Sequence, residues 1–521
     1  MSKSYLKIGG NLVGDAILSL VEVEQALNQH WWCRIECRRT KDDRFPVENT
    51  LGQDLQILTY DESGAEHILF DGFVLEGELE YEISGSYTAR LTGVTRSYKL
   101  DLTPQEAYFR KSTLSDVSNI LTGEDSLSAD VQCASKPPKN YVQWGETDFN
   151  FLKRLAARHQ AWIRPVAQGI QICDSFQGGT KLDWRLEDGL LDFEVKGKLA
   201  QPSFNGTHYD ARQMRSQTFN QVQQAAQFSG SSGRMVAAVQ RASQEMLPSG
   251  YVHLDDRAAT AGEYQDLLQL ASAGKSGASV VAVGHSRSDA LQAGNKVSIG
   301  GTLDAQGDYG VLKVIHRWTN EGYTNEFWCT PWTKYYDLDA AKPTMMRGVV
   351  PARVVDQNDP RKMGRVKVQY DWQESGETGW IRMVTPHAGA DRGFMFMPEK
   401  GDEVLVAFEH GDPERPYVLG SLWNGVDQAP REEFWGGDIE NNDVKRIVTK
   451  SGHRIQFSDK DGKESIVIAT PTKLKLSLLE KTDETGRSMI VLHSEDGDIV
   501  VSAPNGRIHF RSKYFSRETG S

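Results

Sequence analysis

Residues 408–425 read FEHGDPERPYVLGSLWNG. Glu409, His410, Asp412, Glu414 and Arg415 crowd between two runs, EVLVAFE and RPYVLGSL, whose alternation of apolar and polar residues is that of half-buried strands. Pro413 and Pro416 fix φ and withdraw backbone donors, so the stretch between the runs cannot continue a ladder. Gly411 supplies a conformation that other residues resist. The expected structure is a rigid corner at an exposed hairpin tip. A catalytic carboxylate pair needs two environments that separate its pKa values, and an exposed tip offers none.

Working outward, residues 345–425 contain five short alternating runs joined by Asp, Asn, Pro and Gly turns, the strand count and size of an OB-type barrel. Asn358, Asp359 and Pro360 form the turn after the first run, and Gly364 opens GRVKVQY. This segment holds ten Lys and Arg against twelve Asp and Glu, a net of −2, so it lacks the basic groove that single-stranded nucleic acid requires. His387, Asp391, His410 and Asp412 fit no metal or nucleophile spacing. No catalytic residue, metal or cofactor is expected.

Upstream, CRIECRR, DLQILTYD, HILFDGFVLEGELEYEI and YTARLTGVTRSYKLDL predict a β-barrel over residues 1–102. A helical bridge over 103–165 follows. Ser112 or Thr113 can cap STLSDVSNIL, and Thr147 or Asp148 can cap TDFNFLKRLAARHQ, whose last turn carries His159 as a dipole partner or surface residue. Alternation returns over 166–340 as a second β-barrel, interrupted by a Gln/Ser/Gly-rich excursion over 212–277 in which EYQDLLQLA predicts one helix. AGKSGAS in that excursion lacks the earlier glycine of a phosphate loop, Gln269 standing in its place.

Past a linker at 426–444, residues 445–521 repeat a unit of brief strand and SG, DG or NG turn: SGHRIQFS resembles NGRIHFRS, and DGKESIVIATP resembles DGDIVVSAPNG. Alone, such a segment leaves Ile466, Ile468, Leu474, Leu476, Ile490, Leu492, Ile499 and Val501 in water. Three copies wrapped together bury that face and remove the sheet edges.

The chain as a whole sets the bounds. Its 521 residues exceed one core, its net charge of −12 argues against a grip on polyanions, and its mean hydropathy of −0.50 with 48 glycines favours short strands and many turns. Asp15 breaks the early apolar run, so no export signal or membrane span is expected. Five scattered cysteines, with Cys33 and Cys37 on one face of a strand, read as reduced packing residues.

Taken together, GDPERPYVLGSLWNG, MFMPEKGDEVLVAFEHG and NDPRKMGRVKV resemble the OB domain of the VgrG family, the trimeric spikes of type VI secretion and related contractile injection systems. YVQWGETDFNFLKRLAARHQAWI followed by GIQICDS resembles the tail-hub part of the same family. The resemblance spans most of residues 1–425. It implies a mainly β chain: a two-barrel hub with short bridging helices, an OB collar, and a β-prism stem intertwined as a homotrimer. It also implies an inner-tube (Hcp-like) hexamer, baseplate proteins, a PAAR-repeat tip protein and effector or adaptor proteins as partners, with no nucleic acid. Tyr514 and Phe515 would then contact the tip protein. The chain would assemble in the bacterial cytoplasm and leave with the tube, as a type VI spike or that of an extracellular or phage-tail-like particle.

Overall fold

The computed structural model describes residues 4–516 apart from 14–17, 41–44, 61–65, 84, 185–188, 211–212, 223–227, 229–232, 252–259, 302–303, 336, 338, 343, 374–375, 431–441, 473 and 481–485. The chain divides into two units, Met1–Leu422 and Trp423–Ser521. Most of the 426–444 linker lies outside the described residues.

Thirteen of the described hub strands form one sheet, and the others pair in three smaller ones. Leu18–Ala26 pairs on one side with Trp32–Thr40 and on the other with Gly307–Thr319, in a register running from Lys313 opposite Ala26 to Thr319 opposite Leu20. The strands before residue 102 and those after residue 166 therefore share a continuous ladder. Alternation explains the packing, because every second side chain of a strand faces the same side. Val21 and Val23, Cys33, Ile35 and Cys37, and Leu55 and Ile57 all turn into one apolar core. Cys33 and Cys37 are free thiols in that core, and burial raises both well above the ordinary thiol range.

Two helices cover a second core. Helix α1, Leu114–Glu124, starts with a capping box in which Thr113 Oγ1 accepts from the Asp116 N–H and Asp116 Oδ2 accepts from the Thr113 N–H at 2.8 Å. Helix α2, Asp148–Arg158, is capped by Thr147, and Phe149, Phe151, Leu152, Leu155 and Ala156 are buried along it. His159 closes α2 differently from the expected surface or dipole role. It is 7% exposed, its Nδ1 lies 2.9 Å from the Leu155 carbonyl, and burial pushes its pKa down to about 4. It is therefore neutral at pH 7 and has no charge to offer the helix dipole.

That burial has a pH consequence. An unfolded histidine titrates near 6.5, so between that value and about 4 the unfolded chain binds a proton that folded His159 refuses. Stability is present above pH 6.5 and is lost as pH falls, by about 3 kcal/mol for this residue alone. His159→Gln keeps an amide donor for the Leu155 carbonyl and removes the titration. Its unfolding free energy, followed by urea denaturation from pH 7.5 to 4.5, should fall less than that of the parent chain.

The 212–277 excursion holds two helices rather than one: α3, Gly233–Met246, and α4, Ala261–Gly277. Strand Arg215–Val222 also turns back antiparallel on Ser203–Asp210. In α3, Val236, Val239 and Ser243 are buried at the spacing of one helical face, which outweighs the linker-like composition around them.

Five strands close into a barrel in the order Val349–Asp356, Arg365–Tyr370, Ile381–Met383, Pro416–Ser421 and Glu403–Phe408, the last pairing with the first. Val354, Val366, Val368, Val404, Val406 and Val418 fill it. In the second unit, Val444–Val448, Arg454–Ser458, Ser465–Ala469, Lys475–Leu479 and Met489–His493 form an antiparallel meander. The turn signals of the sequence fall between these strands.

Candidate functional site: a buried ionic joint and an apolar stem face

The corner that joins Glu403–Phe408 to Pro416–Ser421 is built from its own sequence. His410 at φ 52° and Gly411 at φ 79° carry the left-handed step that reverses the chain. A Cβ on Gly411 would come within 3.2 Å of Met345 Cβ, so both conformation and space ask for glycine there. Asp412 Oδ1 accepts from the Glu414 N–H at 2.9 Å, an Asx turn that sets the direction of the next two residues. Pro413 and Pro416 bracket it, and Arg415 Nη2 meets Glu409 Oε2 at 2.6 Å.

The corner is buried, not exposed as the hairpin reading expected. Asp412 is 4% exposed and the Glu414 side chain 14%. The reason lies in α2, where Arg154 and Arg158, one helical turn apart, reach the same carboxylate. Arg154 Nη1 lies 3.3 Å from Glu414 Oε1, and Arg158 Nη1 donates to Glu414 Oε2 at 2.8 Å. Arg154 is itself fixed by Glu146, through Nε to Oε2 at 3.0 Å and Nη2 to Oε1 at 2.9 Å, and by the Val142 carbonyl at 2.8 Å. Lys139 Nζ stands 3.7 Å from Glu414. Hub and barrel are thus joined by two buried guanidiniums sharing one buried carboxylate.

The two acids of the corner have opposite environments. Burial opposes the charge on both. At Glu414 the surrounding Arg158, Lys139 and Arg154 overcome it and hold the carboxyl below its usual range. At Asp412 burial wins, the Glu414 charge adds to it, and its pKa is raised. The separation expected of catalytic acids is therefore present, but each acid is occupied in structure. His387 and Asp391 are exposed, and among the described residues no three His, Cys, Asp or Glu gather as a metal site.

The turn at Asn358, Asp359 and Pro360 is organised around one side chain. Asp359 accepts from the Arg361 N–H at 3.0 Å, the Met363 N–H at 2.9 Å and the Arg365 fork at 2.9 and 2.6 Å. The Arg365 guanidinium, ahead of these backbone donors, holds its carboxyl well below the ordinary range. Gly364, at φ 65°, lets the chain re-enter the strand.

On the stem, cross-strand pairing gathers one face: Ile447 opposite Ile455, Ile455 opposite Ile468, Phe457 opposite Ile466, and Leu476 and Leu478 opposite Leu492 and Ile490. Ile466, Ile468, Ile490 and Leu492 are 38–75% exposed on it. Leu474, Ile499 and Val501 are exposed as well, whereas Leu476 is half-buried. Tyr514 and Phe515 are 82% and 81% exposed.

A helix-bridged hub sheet followed by an OB barrel is the architecture of a tail protein of an injection machine. A family model for the phage tail baseplate hub (GPD) matches residues 24–322, and one for the type VI secretion system/phage-baseplate injector OB domain matches residues 350–423. The chain belongs to the phage tail baseplate hub family and carries the injector OB domain. It is 24% identical over 419 residues to the actin cross-linking toxin VgrG1 of Vibrio cholerae, covering 73% of this chain and 37% of that protein. Over 161 residues it is 28% identical to the type VI secretion system spike protein VgrG4b of Pseudomonas aeruginosa, covering 28% of this chain and 20% of that one. The matches thus span well under half of these relatives. Among solved structures, an E. coli type VI secretion component similar to T4 tail proteins gp27 and gp5 superposes with a TM-score of 0.52 at 17% identity, covering 80% of this chain and 99% of that one. A Francisella PdpA–VgrG complex, half-lidded, superposes with a TM-score of 0.60 at 8% identity, covering 95% and 88%. Both show the fold. The chain is homologous to VgrG spike proteins and to phage baseplate hubs.

Proposed function

We propose that this chain is the puncturing spike of a contractile injection machine, of the type VI class, acting as a homotrimer without catalysis of its own. The observation that carries the reading is the apolar stem face downstream of a hub and an OB barrel. Burying that face against two further copies removes exposed Ile, Leu and Phe from water at roughly 25 cal/mol per Å² and pairs the sheet edges. An interlocked sheet unfolds slowly and carries an axial push. In this reading the hub seats on an inner-tube hexamer within a baseplate, the OB barrels form a collar, and a PAAR-repeat protein meets Tyr514 and Phe515. A neighbour in fold is a VgrG in complex with PdpA, and a spike of this kind would bind effector or adaptor proteins. Among the described residues no helix is long and apolar enough to cross a membrane.

The spike of an extracellular or phage-tail-like particle shares this domain order and is the second reading, favoured by the hub match. The test common to both is solution mass by light scattering for the full chain and for a chain ending near residue 441. The expected result is a trimer that dissociates or precipitates without the stem. A monodisperse monomer in both cases overturns the spike.

A further inference from the structure

A cleft of 260 Å³ opens where the outer wall of the barrel meets the hub, lined by side chains of both. Register builds the barrel side. Arg365 pairs with Arg382 and Arg382 with Tyr417, so the three form one transverse row on the wall, while Ile381 beside them turns into the core. Trp380, Pro413 and Pro416 flank that row. Across from it stand Tyr108 of strand Gln105–Ser112 and Tyr209 of strand Ser203–Asp210. Rings therefore supply much of the wall.

The charges along the cleft cancel, with Asp210, Glu409 and Glu414 against Arg365, Arg382 and Arg415. Nearly all of them are spent inside the fold. Arg365 forks onto Asp359, Arg415 meets Glu409, the Tyr417 O–H donates to Glu409 at 2.8 Å, and Glu414 is held by Arg154 and Arg158. Asp210 is engaged as well. Of the three bases only Arg382 meets no acid among the described residues. It is exposed, and its guanidinium lies 5.4 Å from the centre of the Tyr417 ring. Two further donors have no acceptor among the described residues, the Tyr209 O–H and the Trp380 indole N–H. The cleft thus presents rings, three donors and no uncommitted carboxylate.

We propose that this cleft takes a proline-rich, extended segment of a partner protein, with proline rings against Trp380 and Tyr209, carbonyls accepting from those two side chains, and an acidic residue of the segment on Arg382. The donor surplus selects this chemistry. An ordinary peptide brings N–H groups that need acceptors, and the acids here are already taken, whereas proline has a carbonyl and no N–H. Such a segment is also extended before it binds, and aromatic-lined grooves are its usual seat. The volume agrees, being below the roughly 300–1,000 Å³ of small-molecule sites. Single-stranded nucleic acid fits less well, since its phosphates would meet a cleft whose charges cancel and whose rim includes Glu409 and Glu414. The cleft is built within one chain, so the inference does not rest on the stem.

The test is fluorescence anisotropy with the full chain and labelled peptides of equal length: prolines with one glutamate, prolines with one lysine, and alternating glycine and serine with one glutamate. The proline–glutamate peptide should bind about tenfold more tightly than the glycine–serine one, and more tightly than the lysine peptide. Arg382→Gln, at an exposed side chain, should erase the preference for glutamate and keep the preference for proline. Tyr209→Ala, at a side chain 49% exposed, should weaken both proline peptides about fivefold or more, with circular dichroism unchanged. Equal binding of proline and glycine–serine peptides, no binding at about 1 mM peptide, or unchanged binding in both variants overturns the proposal. So does capture of oligothymidylate in place of peptide. Binding by the stem variant Ile468→Asp but not by the parent chain also overturns it, since a neighbouring copy would then fill the cleft. Light scattering on the same samples separates the two readings. A trimer that ignores the peptides overturns the cleft and leaves the spike, while a monomeric parent that binds them overturns the spike and supports the cleft.

Discussion

Ile468→Asp and Ile490→Asp should each reduce the solution mass of the chain from that of a trimer to that of a monomer. Both side chains lie on the apolar stem face, Ile468 opposite Leu476 and Ile490 opposite Leu478. Their exposures of 47% and 75% in the single chain mean that an aspartate costs the monomer little. In a prism, three aspartates would converge near the axis, where an ionised carboxylate without a partner costs several kcal/mol per copy. The cost is therefore confined to assembly, and circular dichroism of the hub and barrel should be unchanged. Val467→Asp would be a poor probe, because Val467 is 7% exposed within the chain itself and its loss would damage the sheet. An unchanged mass in both aspartate variants would contradict the buried stem face.

The second large effect belongs to the joint. Glu414→Ala leaves Arg158, and one arm of Arg154, buried without their carboxylate, and removing one partner of a buried ion pair costs about 3–5 kcal/mol. The wild-type carboxyl is held low by its arginines, so its contribution is complete above the unfolded value of about 4.3 and declines as pH falls below it. The variant should unfold at lower urea than the parent at pH 7, and the gap should narrow toward pH 3. Asp412→Asn has the opposite sign. Asp412 is raised by burial and by Glu414, so its charge opposes folding at neutral pH and the penalty fades as it protonates in mild acid. The asparagine keeps an oxygen to accept from the Glu414 N–H, and the variant should be more stable than the parent at pH 7.5. Thermal unfolding of the three proteins at two pH values checks both signs.

How much of this was legible varies with the kind of signal. The corner at 409–416 could be read as a turn because proline, glycine and Asx chemistry act within four residues of one another. Its burial could not, since it depends on Arg154 and Arg158, 256 and more residues away. A signal was nevertheless present: both arginines fall on the stripe of α2 that also carries Phe151 and Leu155, and two guanidiniums four apart on a buried face require a carboxylate from elsewhere. Helix α3 was hidden by composition, because the Gln, Ser and Gly around it read as linker although Val236, Val239 and Ser243 keep helical spacing. The barrel and stem strands were legible because alternation and turn residues agree there. Cross-strand register is long-range information, so the sharing of one sheet by the two halves of the hub was beyond periodicity.

That shared ladder has a bearing on how the protein is made. Leu18–Ala26 is flanked by Trp32–Thr40 on one side, and its other edge stays open until Gly307–Thr319 has been synthesised. At translation rates of about 5–20 residues per second, the wait is on the order of 15 to 60 seconds. Throughout it, a nascent sheet displays a row of unsatisfied backbone groups, the kind of edge that recruits neighbouring strands. The hub therefore cannot complete itself from its N-terminus forward, and its closing step falls just before the barrel emerges. A ribosome stalled anywhere between residues 30 and 300 would carry a sticky, half-built sheet, so holding chaperones have more to do on this chain than on one whose domains finish in order.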